Sequence, residues 1–316
     1  MSVWHKWSVT SRQPSLSGRV ALVTGGNSGL GFETACGLAK RGAKLLLPVR
    51  NPAKGEEALK ALSQRCPGVQ AQLLQLDLAS LASVKACADS VFNHTEQLDF
   101  LINNAGVMAP PRRQETLDGF ELQFGTNHLG HFALTSHLRP LLQAARGGGT
   151  VVTVASLAAH KTHIHFDDLQ FRHHYSPFTA YQQSKLANLL FARELARKAG
   201  EAGWALHSRA AHPGWSSTSI IANGPAASTP PALSILQRTA GGAVLRLMGQ
   251  SAARGAEASL YAALSPDACD GDYYGPQGSQ ERRGQPGPAR VPAEARKTST
   301  AERLWDVSER LTGVAW

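Results

Sequence analysis

Short, unbroken apolar runs alternate along the chain with longer stretches whose apolar positions recur at helical spacing. Arg19–Thr24, Lys44–Val49, Gln72–Asp77, Phe100–Asn103, Thr150–Ala155 and Ala205–Ala210 are the runs. Each predicts a strand buried on both faces, because no polar alternation marks a solvent side. Pro48, which has no N–H for a ladder, predicts that the second strand is ending there. The stretches between them predict helices over about Gly31–Arg41, stopped by Gly42, and over Lys54–Gln64, Leu81–Phe92, Phe120–Leu142 and Phe178–Lys198. Near the end, Gly275–Pro292 is rich in Gly, Pro and Arg and reads as a surface loop. Ser299-Thr300-Ala301-Glu302 has the spacing of a capping box, opening a last helix through about Leu311. Leu304, Trp305, Val307 and Leu311 would dock that helix on the protein.

Strand–helix alternation of this kind predicts an α/β fold, a single-domain Rossmann-type doubly wound parallel sheet with helices on both faces. Within it, residues 1–17 read as an N-terminal arm, about 215–250 as a substrate-binding lid, and about 275–316 as a C-terminal loop and docked helix. No internal repeat appears at solenoid periods.

Composition leaves that picture in place. Of 316 residues, 42% are hydrophobic and 17% charged, which suits a chain with a substantial core. The formal net charge is +9, yet no run of five Lys or Arg occurs. Spread-out basic residues suit a solvated surface around an anionic cofactor and exclude a nucleic-acid reading. No stretch approaches the roughly 18 apolar residues of a spanning helix, and the N-terminus lacks a signal-peptide core. Stable membrane insertion is therefore not expected, and Trp4 and Trp7 read as packing onto the domain. Cys36, Cys66, Cys87 and Cys269 show no CxxC spacing and read as reduced thiols of a cytoplasmic protein.

Candidate chemistry sits at the strand ends. Thr24-Gly25-Gly26-Asn27-Ser28-Gly29-Leu30-Gly31 places glycines between a buried strand and a helix, the usual cradle for a dinucleotide pyrophosphate. After the second strand stands Val49-Arg50-Asn51, with no carboxylate to hold ribose hydroxyls. A guanidinium there can clamp a 2′-phosphate, which points to NADP over NAD. Asp77, at the third strand end, reads either as an adenine-edge contact or as a cap of its own turn. Asn103-Asn104-Ala105-Gly106 lets backbone lie close to the adenosine ribose. Tyr181 and Lys185 are four residues apart, hence on one helix face. An ammonium beside a phenol favours the phenolate, so Tyr181 is placed to move a proton well below its free pKa of about 10. Ser156 follows the fifth strand, where its hydroxyl can meet a substrate carbonyl. Asn127 is a polar residue within an apolar helix and needs a partner. His160, His163, His165, His173 and His174 cluster before Tyr181. Without an accompanying Cys they read as lining the site mouth or facing solvent, and no metal is called for.

TGGNSGLG, NNAG, Asn127, Ser156, YQQSK and His212-Pro213-Gly214 stand in the order and spacing of the short-chain dehydrogenases/reductases, and the chain resembles that family over about Gly18–Leu311. FDDLQ at Phe166–Gln170, the run Tyr181–Arg197, HPGWSST at His212–Thr218 and the 25-residue step from Ser156 to Tyr181 resemble its retinol dehydrogenase-like branch, in a soluble, bacterial form. The resemblance implies that Tyr181 protonates a developing alkoxide and that Lys185 lowers its pKa and binds the nicotinamide ribose. It implies that Ser156 orients the carbonyl and that Asn127 holds a relay water. Gly25, Asn27, Ser28, Gly29, Leu30, Gly31, Arg50, Asn51, Asp77, Leu78, Asn104, Ala105 and Gly106 would line the cofactor, with Tyr181 and Lys185. Pro213 and Gly214 would border the nicotinamide, and Thr218 would contact its carboxamide or the phosphates. Two departures stand out: Ala155 where many relatives carry a second Ser, and a distinctive loop, Ser219–Ala232. The implied activity is NADPH-dependent reduction of an apolar ketone or aldehyde. A C=C reductase, as in the similar protochlorophyllide reductases, and a non-catalytic NADP-binding protein are the alternatives. Members of the family often form homodimers through the helices carrying Asn127 and Tyr181, while the retinol dehydrogenase-like branch varies, so the resemblance leaves a homodimer open.

Overall fold

The structure, a computed structural model, describes residues 15–215 and 250–316. Its elements, in chain order, are β1 Val20–Val23, α1 Gly29–Ala39, β2 Lys44–Val49, α2 Pro52–Arg65, β3 Ala71–Gln75, α3 Leu81–Phe92 and β4 Phe100–Asn103. Next come α4 Leu122–Phe124, a π-helical turn Gly125–Leu129, α5 Gly130–Ala144, β5 Gly149–Val154, α6 Pro177–Ala202 and β6 Leu206–Ala211. Among the described residues the chain closes with α7 Ala252–Leu264, β7 Tyr273–Pro276, β8 Pro286–Pro288 and α8 Thr298–Thr312.

Among the described residues eight strands join one sheet in the order β3-β2-β1-β4-β5-β6-β7-β8, parallel except for β8. The doubly wound α/β expectation holds. Strand order reverses between β1 and β4, so the loops leaving those two strands diverge and open a crevice at their carboxyl ends. Alternate residues of the apolar runs feed the two faces. Leu22, Leu46, Leu101 and Val151 pack under α3, α5 and α6. Ala21, Leu45, Ile102 and Val152 pack under α1 and α7. Pro48 fits because its missing donor faces the β1 side. Leu45 already donates to Gln70 on the β3 side, and β1 pairs with β2 only as far as Leu46.

The longest helix, α6, starts and stops for local reasons. Ser176 caps it with Pro177 in its first turn, and Gly203 ends it at φ 65°. The helix expected over Phe120–Leu142 is instead interrupted by the π-helical turn at Gly125–Leu129.

Two expectations are corrected. Gly275–Pro292 is not simply a surface loop: β7 lies within the sheet beside β6, and β8 forms its edge, paired Pro276↔Pro286. Proline is tolerated there because an edge strand has no outer partner to satisfy. No capping box opens α8, which starts at Thr298 after Lys297 with no side-chain cap. Glu302, the box's acid, instead pairs with Arg197 of α6 at 3.2 Å. The arm at 1–17 and the lid at about 215–250 lie largely outside the described residues.

Helix α8 lies across α5 and α6. Trp305 packs edge-on against Phe132 and stacks with Phe191, and Trp316 adds a ring 4.7 Å from Trp305. Ser136 of α5 donates to the Ala315 carbonyl, extending the cover. Among the described residues, no helix is long and apolar enough to cross a membrane.

Candidate active site

At the β1 end the chain turns through Gly25 at φ 66° and enters α1 with Ser28 as its extended N-cap. The Ser28 side chain makes no capping bond, so the first amides of α1 keep their capacity for an anion. Gly31 is buried in this turn, and a Cβ on it would overlap the Gly25 carbonyl and the Asn104 amide. These features fit a dinucleotide pyrophosphate: a close backbone approach at an uncapped helix start.

Thr24 ties β1 to β4 beneath that cradle. Its hydroxyl oxygen accepts from the backbone N–H groups of Asn104 at 2.9 Å and Ala105 at 3.0 Å, and its carbonyl accepts from Asn104 Nδ2 at 2.8 Å. The same hydroxyl lies 2.9 Å from His131 Nε2, while His131 Nδ1 lies 2.9 Å from the Asn127 carbonyl. Burial holds His131 near pKa 4, hence neutral. A carbonyl can only accept, so Nδ1 carries the proton and Nε2 accepts from Thr24. His131 thus bridges the glycine-rich turn and the π-helical turn carrying Asn127. Sequence reading did not single it out, although its spacing of four from Asn127 was visible.

Asn127 clamps the loop after β4. Oδ1 accepts from Val107 N–H at 2.8 Å, and Nδ2 donates to the Val107 carbonyl at 3.0 Å and to Ser184 Oγ at 2.9 Å. Gly106 lies between Asn127 Oδ1 and Lys185 Nζ, with little room for a side chain.

Ser156 follows β5 and opens a 3-10 turn, its hydroxyl oxygen accepting from Ala158 N–H at 3.2 Å. It also lies near enough to the Tyr181 phenol to lower its pKa. Lys185, one turn along α6, donates to the Val154 carbonyl at 3.0 Å, with its Nζ 5.9 Å from the Tyr181 ring centroid. Both are buried, Tyr181 7% and Lys185 3% exposed. Burial lowers the Lys185 ammonium to about 8. Burial raises the Tyr181 phenol, against a smaller lowering by Ser156. The two side chains lie near each other on α6, but Lys185 does not lower the phenol as the sequence predicts: burial governs it.

The remaining candidates spread along the same sheet edge. Arg50 is exposed at the β2 end, its carbonyl held by Gln75 Nε2. Asn51 caps α2 through Lys54 N–H. Asp77 Oδ1 accepts from Ala79 N–H, so it does cap its own turn, and Leu78 is buried against Gly130. Pro213 and Gly214 follow β6, and Thr218 lies outside the described residues. The histidines do not converge. His163 and His165 lie tilted against each other with ring centroids 4.1 Å apart and His163 borders a groove of about 520 Å³ beside α8, while His173 and His174 are exposed. Among the described residues no three His, Cys, Asp or Glu side chains are grouped to hold a metal.

Residues 19–227 match the family model described as short chain dehydrogenase. Over 303 residues the chain is 38% identical to Retinol dehydrogenase 12 of Homo sapiens, covering 95% of this chain and 88% of that relative. An uncharacterized protein from Mycobacterium paratuberculosis is similar in structure, with TM-score 0.78 and 38% identity over 98% of each chain. A short chain dehydrogenase from Shigella flexneri 2a str. 301, solved with NADP, shares 25% identity at TM-score 0.55, over 70% of this chain and 87% of that one.

Proposed function

The chain belongs to the short-chain dehydrogenases, oxidoreductases that act on CH–OH groups by hydride transfer with a nicotinamide cofactor, and from that membership we propose an NADP(H)-dependent carbonyl reductase working on a fairly apolar ketone or aldehyde. The observation that carries this reading is the meeting of Ser156, Tyr181 and Lys185 at the carboxyl edge of β5.

When bound, the cofactor supplies the hydride. The α1 amides and Gly25, Asn27, Ser28, Gly29, Leu30 and Gly31 would hold its pyrophosphate, and Asn104, Ala105 and Gly106 would line its ribose. Ser156 Oγ donates to the substrate carbonyl oxygen and orients it. Tyr181 Oη delivers a proton to that oxygen as negative charge develops. Lys185, close to the phenol and bound to the Val154 carbonyl, stabilises the phenolate left behind. A water on Asn127 would pass a proton through Lys185 back to the Tyr181 phenolate.

Arg50 supports NADP over NAD, because no carboxylate stands in Val49-Arg50-Asn51 to repel a 2′-phosphate. The NADP held by the Shigella relative agrees with it. Retinol dehydrogenase 12, by its name, acts on a long apolar alcohol, and the identity to it supports an apolar substrate here. Cytoplasmic placement and reduction as the working direction belong to the same reading.

The test is NADPH oxidation over a panel of aldehydes and ketones, with Tyr181→Phe alongside. The expected result is turnover of an apolar carbonyl, reduced at least ~10²-fold in the variant while NADPH still binds. Full turnover by Tyr181→Phe would refute the proposed roles.

A further inference from the structure

The turn after β6, Pro213-Gly214-Trp215, is held by residues far away in sequence. Gly214 sits at φ 63°, and a Cβ there would overlap the Arg282 carbonyl. Trp215 N–H donates to that carbonyl at 2.8 Å, and the Arg282 guanidinium lies over the Trp215 ring at 4.4 Å. Gln250 brackets the turn, donating from Nε2 to the Pro213 carbonyl and from its backbone N–H to the Trp215 carbonyl, each at 2.7 Å.

The base of the turn is His212, which is 0% exposed. Its Nδ1 accepts from Gly214 N–H at 3.2 Å, and its Nε2 lies 3.1 Å from Glu281 Oε2. An Nδ1 that accepts leaves the proton of a neutral ring on Nε2, where it donates to Glu281. Burial favours the neutral ring. Glu281 Oε1 meanwhile accepts from Arg290 N–H at 2.8 Å. His160, Tyr273 and Arg290 are the other titratable groups facing this pair. Gly275, the β7 residue opposite, has no room for a Cβ because the imidazole occupies that space.

The backbone that delivers Glu281 is strained. Gln280 and Glu281 are consecutive non-glycine residues at φ 53° and 55°, and such positions persist where surrounding contacts over-determine them. We propose that Glu281 is a positioning residue for the nicotinamide side of the site: it fixes the His212 tautomer and thereby the Pro213–Trp215 turn. The proposal rests on the NADP(H) reading together with the family resemblance, by which Pro213 and Gly214 border the nicotinamide.

A binding comparison tests it without a substrate. NADPH and 2′,5′-ADP, which lacks the nicotinamide half, are titrated by calorimetry against wild type, Glu281→Ala, Glu281→Gln and Gly275→Ala. Glu281→Ala should weaken NADPH roughly tenfold, the equivalent of one lost charge-assisted hydrogen bond, and leave 2′,5′-ADP within about twofold. Gly275→Ala, which displaces the imidazole while sparing Glu281, should do the same. Glu281→Gln, which keeps an acceptor for His212, should recover part of the loss. Equal weakening of both ligands, or of neither, overturns the proposal, since a purely structural carboxylate would not distinguish them. Wild type that binds neither ligand overturns the cofactor reading and the proposal together, a distinct result.

Discussion

Substituting His131 by Phe keeps a ring of similar size in a buried slot and removes both hydrogen bonds of the Thr24–His131–Asn127 bridge. The Thr24 hydroxyl has an alternative acceptor, the Ile102 carbonyl at 3.2 Å. The Asn127 carbonyl loses the bond it receives from His131. Two lost hydrogen bonds together cost about 1–3 kcal/mol at neutral pH. A pH signature separates this from generic core damage. His131 is held near pKa 4 by burial, against roughly 6.5 when unfolded. Its folded pKa is depressed, so the unfolded chain binds the extra proton between those values. The contribution is therefore complete above pH ~6.5 and is lost as pH falls toward ~4. Between pH 7.5 and 5.0 linkage gives a loss of about 2 kcal/mol from this group. Urea unfolding of wild type and His131→Phe at both pH values is the assay, with His131→Gln as a variant that retains polarity. The gap between wild type and His131→Phe should narrow by about 2 kcal/mol at pH 5.0. A gap that is equal at the two pH values, or below ~1 kcal/mol at pH 7.5, would refute the bridge as described.

Arg50→Ala should cut NADPH affinity by roughly 10–100-fold, the range of one or two charge-assisted bonds, and leave NADH affinity nearly unchanged; equal affinity changes for both cofactors would argue against a 2′-phosphate clamp. Because α8 and the Trp305–Trp316 rings lie over α5 and α6, a dimer built on that helix pair is not expected. Sedimentation velocity should return a species near 33.7 kDa, and a stable dimer dissociated by substitutions on α5 would contradict this.

Local signals were enough for much of the molecule. Apolar runs such as Lys44–Val49 identify their own strands, because a strand buried on both faces leaves no polar alternation. Ser176, Pro177 and Gly203 mark the ends of α6 with no help from the rest of the chain. The glycine-rich turn and the Tyr181–Lys185 spacing likewise carry their meaning within a few residues, which is why the fold and the central trio were legible.

What the sequence could not determine rests on contacts between distant segments. The Gly- and Pro-rich character of 275–292 predicted a loop, yet Tyr273–Pro276 enters the sheet because β6 offers it an open edge. Glu302 has the spacing of a cap but answers to Arg197 on another helix. Helical spacing ties the Tyr181 phenol to Lys185, whereas its acidity follows first from how completely the assembled site buries it. His131 and Glu281 carry no local motif: each matters through a partner brought to it by the fold, Thr24 in one case and His212 in the other. Periodicity, turn residues and capping act over a few positions and belong to the sequence by itself. Burial, tautomer choice and long-range hydrogen bonds depend on the summed packing of the chain, and for this protein only the tertiary structure decided them.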